Sequence, residues 1–139
     1  MKARIDATEV AVPEALRNGV RRRRFPKECY TRALDYVFDN PAATLVHGTY
    51  APLEERPDIR TGHAWAELDD GDRRVAFDPN EQRFYDRESY YAALRLKADR
   101  RYSAPDAAKL AVATRHCGPW ESWEVPEAGG GQRGGQNVG

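Results

Sequence analysis

The chain has 139 residues, one domain's worth and too few for two well-packed cores. Its 22 Lys and Arg balance 22 Asp and Glu, which excludes a uniformly basic nucleic-acid binder and a uniformly acidic disordered chain. Hydrophobic residues at 40% can build a core, and a mean hydropathy of −0.82 places much charge on the surface.

The zero net charge hides an asymmetry. Residues 1–27 carry eight basic and three acidic side chains, and the remaining residues carry fourteen basic and nineteen acidic. We read 1–27 as a basic N-terminal arm, 28–123 as the catalytic domain and 124–139, with six of the eleven Gly, as a flexible tail. The run Arg21-Arg22-Arg23-Arg24 reads as a solvated tract held open by repulsion. No base-reading motif accompanies it, so nucleic acid is not an expected partner. The first residues lack the apolar stretch of an export signal, and no apolar run approaches a membrane span, so a cytoplasmic protein without membrane contact is expected. Two Cys in such a chain do not make a disulfide framework.

In chain order, Pro26 marks a helix entry, and Tyr30, Ala33, Leu34, Val37 and Phe38 recur at helical spacing. Asp39-Asn40-Pro41 ends that helix. Ala43 to Tyr50 reads as a strand, and residues 51–61 as a polar loop and candidate cleft rim. Gly62 to Leu68 and Arg73 to Phe77 form a hairpin around Asp69-Asp70-Gly71-Asp72. Asp86 caps a helix reaching about Leu96, and Ser103 caps another with Pro105 in its first turn. Helix, three strands, then two helices make an α+β fold.

A turn at Asp70-Gly71 places Glu67 opposite Arg74, Trp65 opposite Ala76 and His63 opposite Asp78. Directly opposed residues hold their Cβ atoms about 4.5–5.5 Å apart, within reach of an imidazole–carboxylate bond. Ala64, Ala66 and Leu68 with Phe77 and Val75 form the other, buried face. A His held by an Asp needs a nucleophile, and Cys29 stands at a helix start, where the helix dipole and unpaired N–H groups favour a thiolate. Arg24 and Lys27 add positive charge nearby. His47 reads as structural or cleft-lining, Trp65 as a cleft wall beside His63, and Asn80 as a cleft residue. The adjacent His116-Cys117 has no third group to hold it as a dyad. The Cys and His spacings match no recognised metal site, so no metal and no cofactor are expected.

Cys29 at a helix start, then Gly62-His63-Ala64-Trp65 on a strand, then Phe77-Asp78-Pro79, resembles the transglutaminase-like branch of the papain-like superfamily. The resemblance runs from about Cys29 to Asn80. It implies a Cys-bearing helix packed on a small antiparallel sheet, followed by two helices. It also implies Cys29 as nucleophile, His63 as base and Asp78 as its orienting partner. Asn80 stands where the commoner pattern has Thr. No Gln or Asn lies in the handful of residues before Cys29, which leaves the oxyanion hole to the Cys29 N–H and a further donor.

The function expected is a thiol-dependent hydrolase or acyl transferase acting on amide or thioester bonds, with a peptidase, deamidase or transglutaminase-like outcome and a protein or peptide substrate. The alternative is a catalytically inactive protein-binding module on the same fold. Residues 54–88 carry eleven acidic and six basic side chains, which favours neutral or basic substrates.

Overall fold

The computed structural model describes residues 5–120; the Gly-rich stretch 124–139 lies outside the described residues. The chain divides into two compact units, the first ending at Ala107 and the second beginning at Ala108. The first unit is a small α+β domain built on one antiparallel sheet. Its strands are β1 (Thr44–Tyr50), β2 (Thr61–Asp70), β3 (Arg73–Asp78), β4 (Arg83–Asp86) and β5 (Lys97–Tyr102), in the order β4-β3-β2-β1-β5. The helices are α1 (Cys29–Asp39), α2 (Arg87–Leu94) and α3 (Ala104–Thr114), and α3 crosses the boundary between the units.

Two of the five strands escape a reading by pattern. β4 is only four residues long. β5 is exposed along its length except at Tyr102, so it has no alternation of apolar and polar residues to reveal it. It separates α2 from α3, which the sequence had placed in succession. Its charged side chains suit an edge position, where an unpaired strand would otherwise template aggregation. At the opposite edge the N-terminal segment covers β4. Val10 N–H donates to Phe84 O and Asp86 N–H to Thr8 O, with a bridge between Glu9 and Tyr85.

Both faces of the sheet are buried, where only one was expected. On the first, α1 buries Ala33, Leu34, Tyr36 and Val37, and Tyr36 stacks on Phe77 with ring centroids 4.2 Å apart. On the second, Trp65, Val46, Ala76 and Tyr85 pack with Tyr90 of α2. Burial of both faces leaves β2 without a polar side from His63 to Leu68. Buried polar groups there must find partners within the protein. Glu67 does so by accepting from Trp65 Nε1, the Tyr91 hydroxyl, Arg87 and Arg101.

The hairpin turn is Gly71-Asp72, not Asp70-Gly71. Gly71 takes φ 64°, and Asp70 pairs with Arg73. The register is therefore displaced by two residues from the expected one: Asp69 faces Arg74, Glu67 faces Ala76 and Ala66 faces Phe77. A shift of two keeps every side chain on its expected face. It makes His63 and Asp78 diagonal rather than direct neighbours.

The local signals at the helix ends hold. Asp86 caps α2 by accepting the Ser89 N–H at 2.9 Å, and Ser103 Oγ accepts from Asp106 N–H. α1 begins at Cys29 with Glu28 as N-cap, so Pro26 lies in the preceding turn and not within the helix. In the second unit, His116 Nδ1 accepts the Gly118 N–H at 3.1 Å, which commits that nitrogen to backbone. Among the described residues, no helix is long and apolar enough to cross a membrane.

Candidate functional site

Cys29 opens α1. Helix geometry leaves the first N–H groups of α1 without carbonyl partners in the helix, and Arg32 is the residue whose N–H first bonds back, to Glu28 O at 2.9 Å. Lys27, two residues earlier, takes φ 69°, a left-handed conformation that turns the chain into the helix. Cys29 is half-buried.

His63 and Asp78 come from β2 and β3 and are both buried, at 4% and 1% exposure. Because they are diagonal neighbours, His63 Nε2 and Asp78 Oδ2 are 3.7 Å apart. The Tyr90 hydroxyl occupies the offset: it donates to Asp78 Oδ2 at 2.5 Å and lies 2.9 Å from His63 Nε2. The other carboxylate oxygen, Oδ1, accepts the Glu81 N–H at 2.8 Å. Asp78 is thus held at both ends, and Nε2 of His63 is committed to the Tyr90–Asp78 side.

The electrostatics follow from this arrangement. Burial alone would push the His63 imidazolium down. The hydrogen bonds to Asp78 and Cys29 and the Asp78 charge together outweigh burial and raise its pKa to about 9. Burial would raise Asp78, but the hydrogen bond and positive charge of His63, helped by Tyr90 and the Glu81 N–H, hold its carboxyl below the ordinary range. Burial and the neighbouring Asp78 charge push the Tyr90 phenol well above 10, so it remains a donor. His63 and Asp78 therefore form a buried pair in which the imidazole is the cation and the carboxylate the anion.

A cavity of about 150 Å³ opens beside His63 and Asp78, lined by Tyr50, Asn80, Leu94 and Ile5 among others. Asn80 lines it. Trp65 and His47 are not, because burial of both sheet faces encloses them, at 0% and 1% exposure. Trp65 stacks against the His63 ring at 5.5 Å and so braces it from below the cleft. His47 pairs with Ala64 in β1–β2, on the face opposite His63, between Tyr30 and Tyr102. Nor does the 51–61 loop line this cavity. Arg24 forms an ion pair with Glu81 at 3.1 Å, so its charge is directed at that carboxylate and not at the thiol.

Tyr90 is a site residue that the sequence does not single out. It is stacked on Tyr85 at 5.6 Å. A signal existed: a tyrosine buried on the same face as a His and an Asp needs a partner for its hydroxyl. Among the described residues no group of three His, Cys, Asp or Glu is placed to hold a metal ion. Compared with protein-family models, curated proteins and solved structures, the chain matches none of them.

Proposed function

We propose that the protein is a thiol-dependent hydrolase or acyl transferase acting on amide or thioester bonds, with Cys29 as nucleophile. The observation that carries this reading is the buried His63–Asp78 pair, 3.7 Å apart and bridged by the Tyr90 hydroxyl, with Cys29 at the start of α1. A Cys at a helix start with His and Asp on adjacent antiparallel strands supports the resemblance to the transglutaminase-like branch of the papain-like superfamily.

In this reading Cys29 Sγ attacks the substrate carbonyl carbon and its proton resides on His63. The tetrahedral oxyanion lies at the start of α1, where unpaired helix N–H groups, that of Cys29 among them, can donate to it. Collapse expels the amine or thiol, which takes the proton from His63, and leaves a thioester on Cys29. Water or an amine then attacks that thioester, giving its proton to His63 and restoring the thiol. Asp78 and Tyr90 keep the imidazole ring from rotating through the cycle.

The reading is tested by incubating the protein with a small activated ester and locating the acyl group by peptide mass spectrometry. One acyl group on the Cys29 peptide, lost in Cys29→Ser and strongly reduced in His63→Ala, is the expected result. Equal acylation of Cys29 and Cys117 in all variants would overturn it.

A further inference from the structure

We propose that the recess walled by Arg21 and Arg22 is a docking site for a carboxylate-rich peptide segment. As a substrate subsite it rests on the acyl-transfer reading above; as a binding surface it is measured without turnover.

The recess, about 680 Å³, is lined by Arg17, Arg21 to Arg24 and Arg83, opposed by Glu9 and Glu81. The two carboxylates are already taken: Glu9 by Arg83 at 3.0 Å and Glu81 by Arg24 at 3.1 Å. Among the described residues, Arg17, Arg21, Arg22 and Arg23 have no carboxylate within ion-pair distance. Arg21, Arg22 and Arg23 thus leave positive charge at the recess for an anionic ligand to meet.

The tract is also not a loose arm. Arg23 lies over the Phe25 ring at 4.4 Å and Arg17 over Phe84 at 5.5 Å. Arg21 N–H donates to Gln82 Oε1 at 2.8 Å, and Phe25 N–H to Asn80 O at 2.8 Å. These contacts fix the Arg17 and Arg23 guanidinium groups and the backbone at Arg21 and Phe25 before any ligand arrives, which lowers the ordering cost of binding. The array adjoins the candidate site, because Glu81 borders both this recess and the cavity at His63 and Asp78.

The acidic excess over 54–88 does not oppose this. Glu67 is engaged by Arg87 and Arg101, Asp58 by Arg56, Asp70 by Arg73 and Asp78 by His63. Glu81, the carboxylate of this span that borders the recess, is itself held by Arg24.

Two features favour a peptide over a nucleic acid. Phe25 and Phe84 are buried beneath guanidinium groups, so no aromatic platform is offered to bases. The lone pairs of Glu9 and Glu81 not used by Arg83 and Arg24 can still accept peptide N–H groups, while a phosphodiester backbone brings only further acceptors and negative charge.

The test is fluorescence anisotropy with the full chain and a labelled peptide of alternating Glu and Gly, against labelled oligo-dT of equal charge. Arg21→Gln with Arg22→Gln is expected to weaken peptide binding roughly tenfold or more. Lys97→Gln with Lys109→Gln, which removes the same charge from exposed positions elsewhere, is expected to change it less than about twofold. Equal weakening by both pairs would overturn the proposal, as would oligo-dT binding more tightly than the peptide through the same arginines. Cys29→Ser is expected to bind the peptide as the unsubstituted chain does, so loss of acylation and loss of docking are read separately.

Discussion

Across the β2–β3 hairpin, His63 and Asp78 are diagonal partners, with Nε2 and Oδ2 3.7 Å apart. Direct opposition would have let imidazole and carboxylate bond without help. The diagonal placement leaves a gap that the Tyr90 hydroxyl fills, so the relay runs from β2 through α2 to β3. The site depends on α2 as much as on the hairpin.

Asp78→Asn tests what holds the imidazolium. Asn keeps an oxygen for the Glu81 N–H but removes the charge. Burial then acts with less opposition, and the His63 pKa falls from about 9 toward or below the ordinary value of about 6.5. Imidazole carbon–proton NMR signals followed across pH report this directly. A His63 that still titrates near 9 would mean that Asp78 does not govern it.

Tyr90→Phe removes one buried hydroxyl that donates to Asp78. Leaving the carboxylate a donor short is expected to cost about 1–3 kcal/mol in urea unfolding. If the hydroxyl also positions His63, acylation at Cys29 slows and the His63 titration moves, which a purely packing role would not produce. Unchanged acylation with lowered stability would reduce Tyr90 to packing.

Stability should depend on pH in a window set by His63. Its folded pKa, about 9, lies above the unfolded value, so folding favours the protonated ring. That contribution is fully present below about pH 6.5 and is lost as pH rises through about 9, on the order of 3 kcal/mol. Urea midpoints measured from pH 6 to 10 should therefore fall more steeply for the unsubstituted chain than for His63→Ala. Parallel curves would contradict the shift.

The placement of the candidate residues was legible because they sit at chain signals: Cys29 at a helix start, His63 and Asp78 on strands flanking a turn. Face assignment also survived, since a two-residue displacement of register leaves parity unchanged. The register itself did not, because Asp69-Asp70-Gly71-Asp72 offers two ways to place the left-handed Gly71 and local sequence does not choose between them. β5 escaped because an exposed, charged edge strand carries no apolar alternation. The burial of Trp65 and His47 was hidden for a related reason: the second helix layer that covers Trp65, and the edge strand whose Tyr102 meets His47, are long-range consequences of the fold.

Gly48 provides a test of the sheet edge beside the site. It faces His63 in β2 and Ala98 in β5, next to the register break after His47. A Cβ there would stand 1.9 Å from the Lys97 carbonyl oxygen, a backbone atom with little freedom to move. Gly48→Ala is expected to destabilise by roughly 2–4 kcal/mol, seen as a lower thermal midpoint. A change under about 0.5 kcal/mol would contradict the close approach of β1 and β5.

The coupling of Cys29 to His63 is tested most directly by iodoacetamide alkylation, followed peptide by peptide at Cys29 and Cys117 from pH 5 to 9. An imidazolium beside a thiol favours the attacking thiolate. Cys29 is expected to react at least about tenfold faster than Cys117 below pH 7, with that advantage lost in His63→Ala. Equal rates at the two cysteines, indifferent to His63→Ala, would contradict a His63-activated nucleophile.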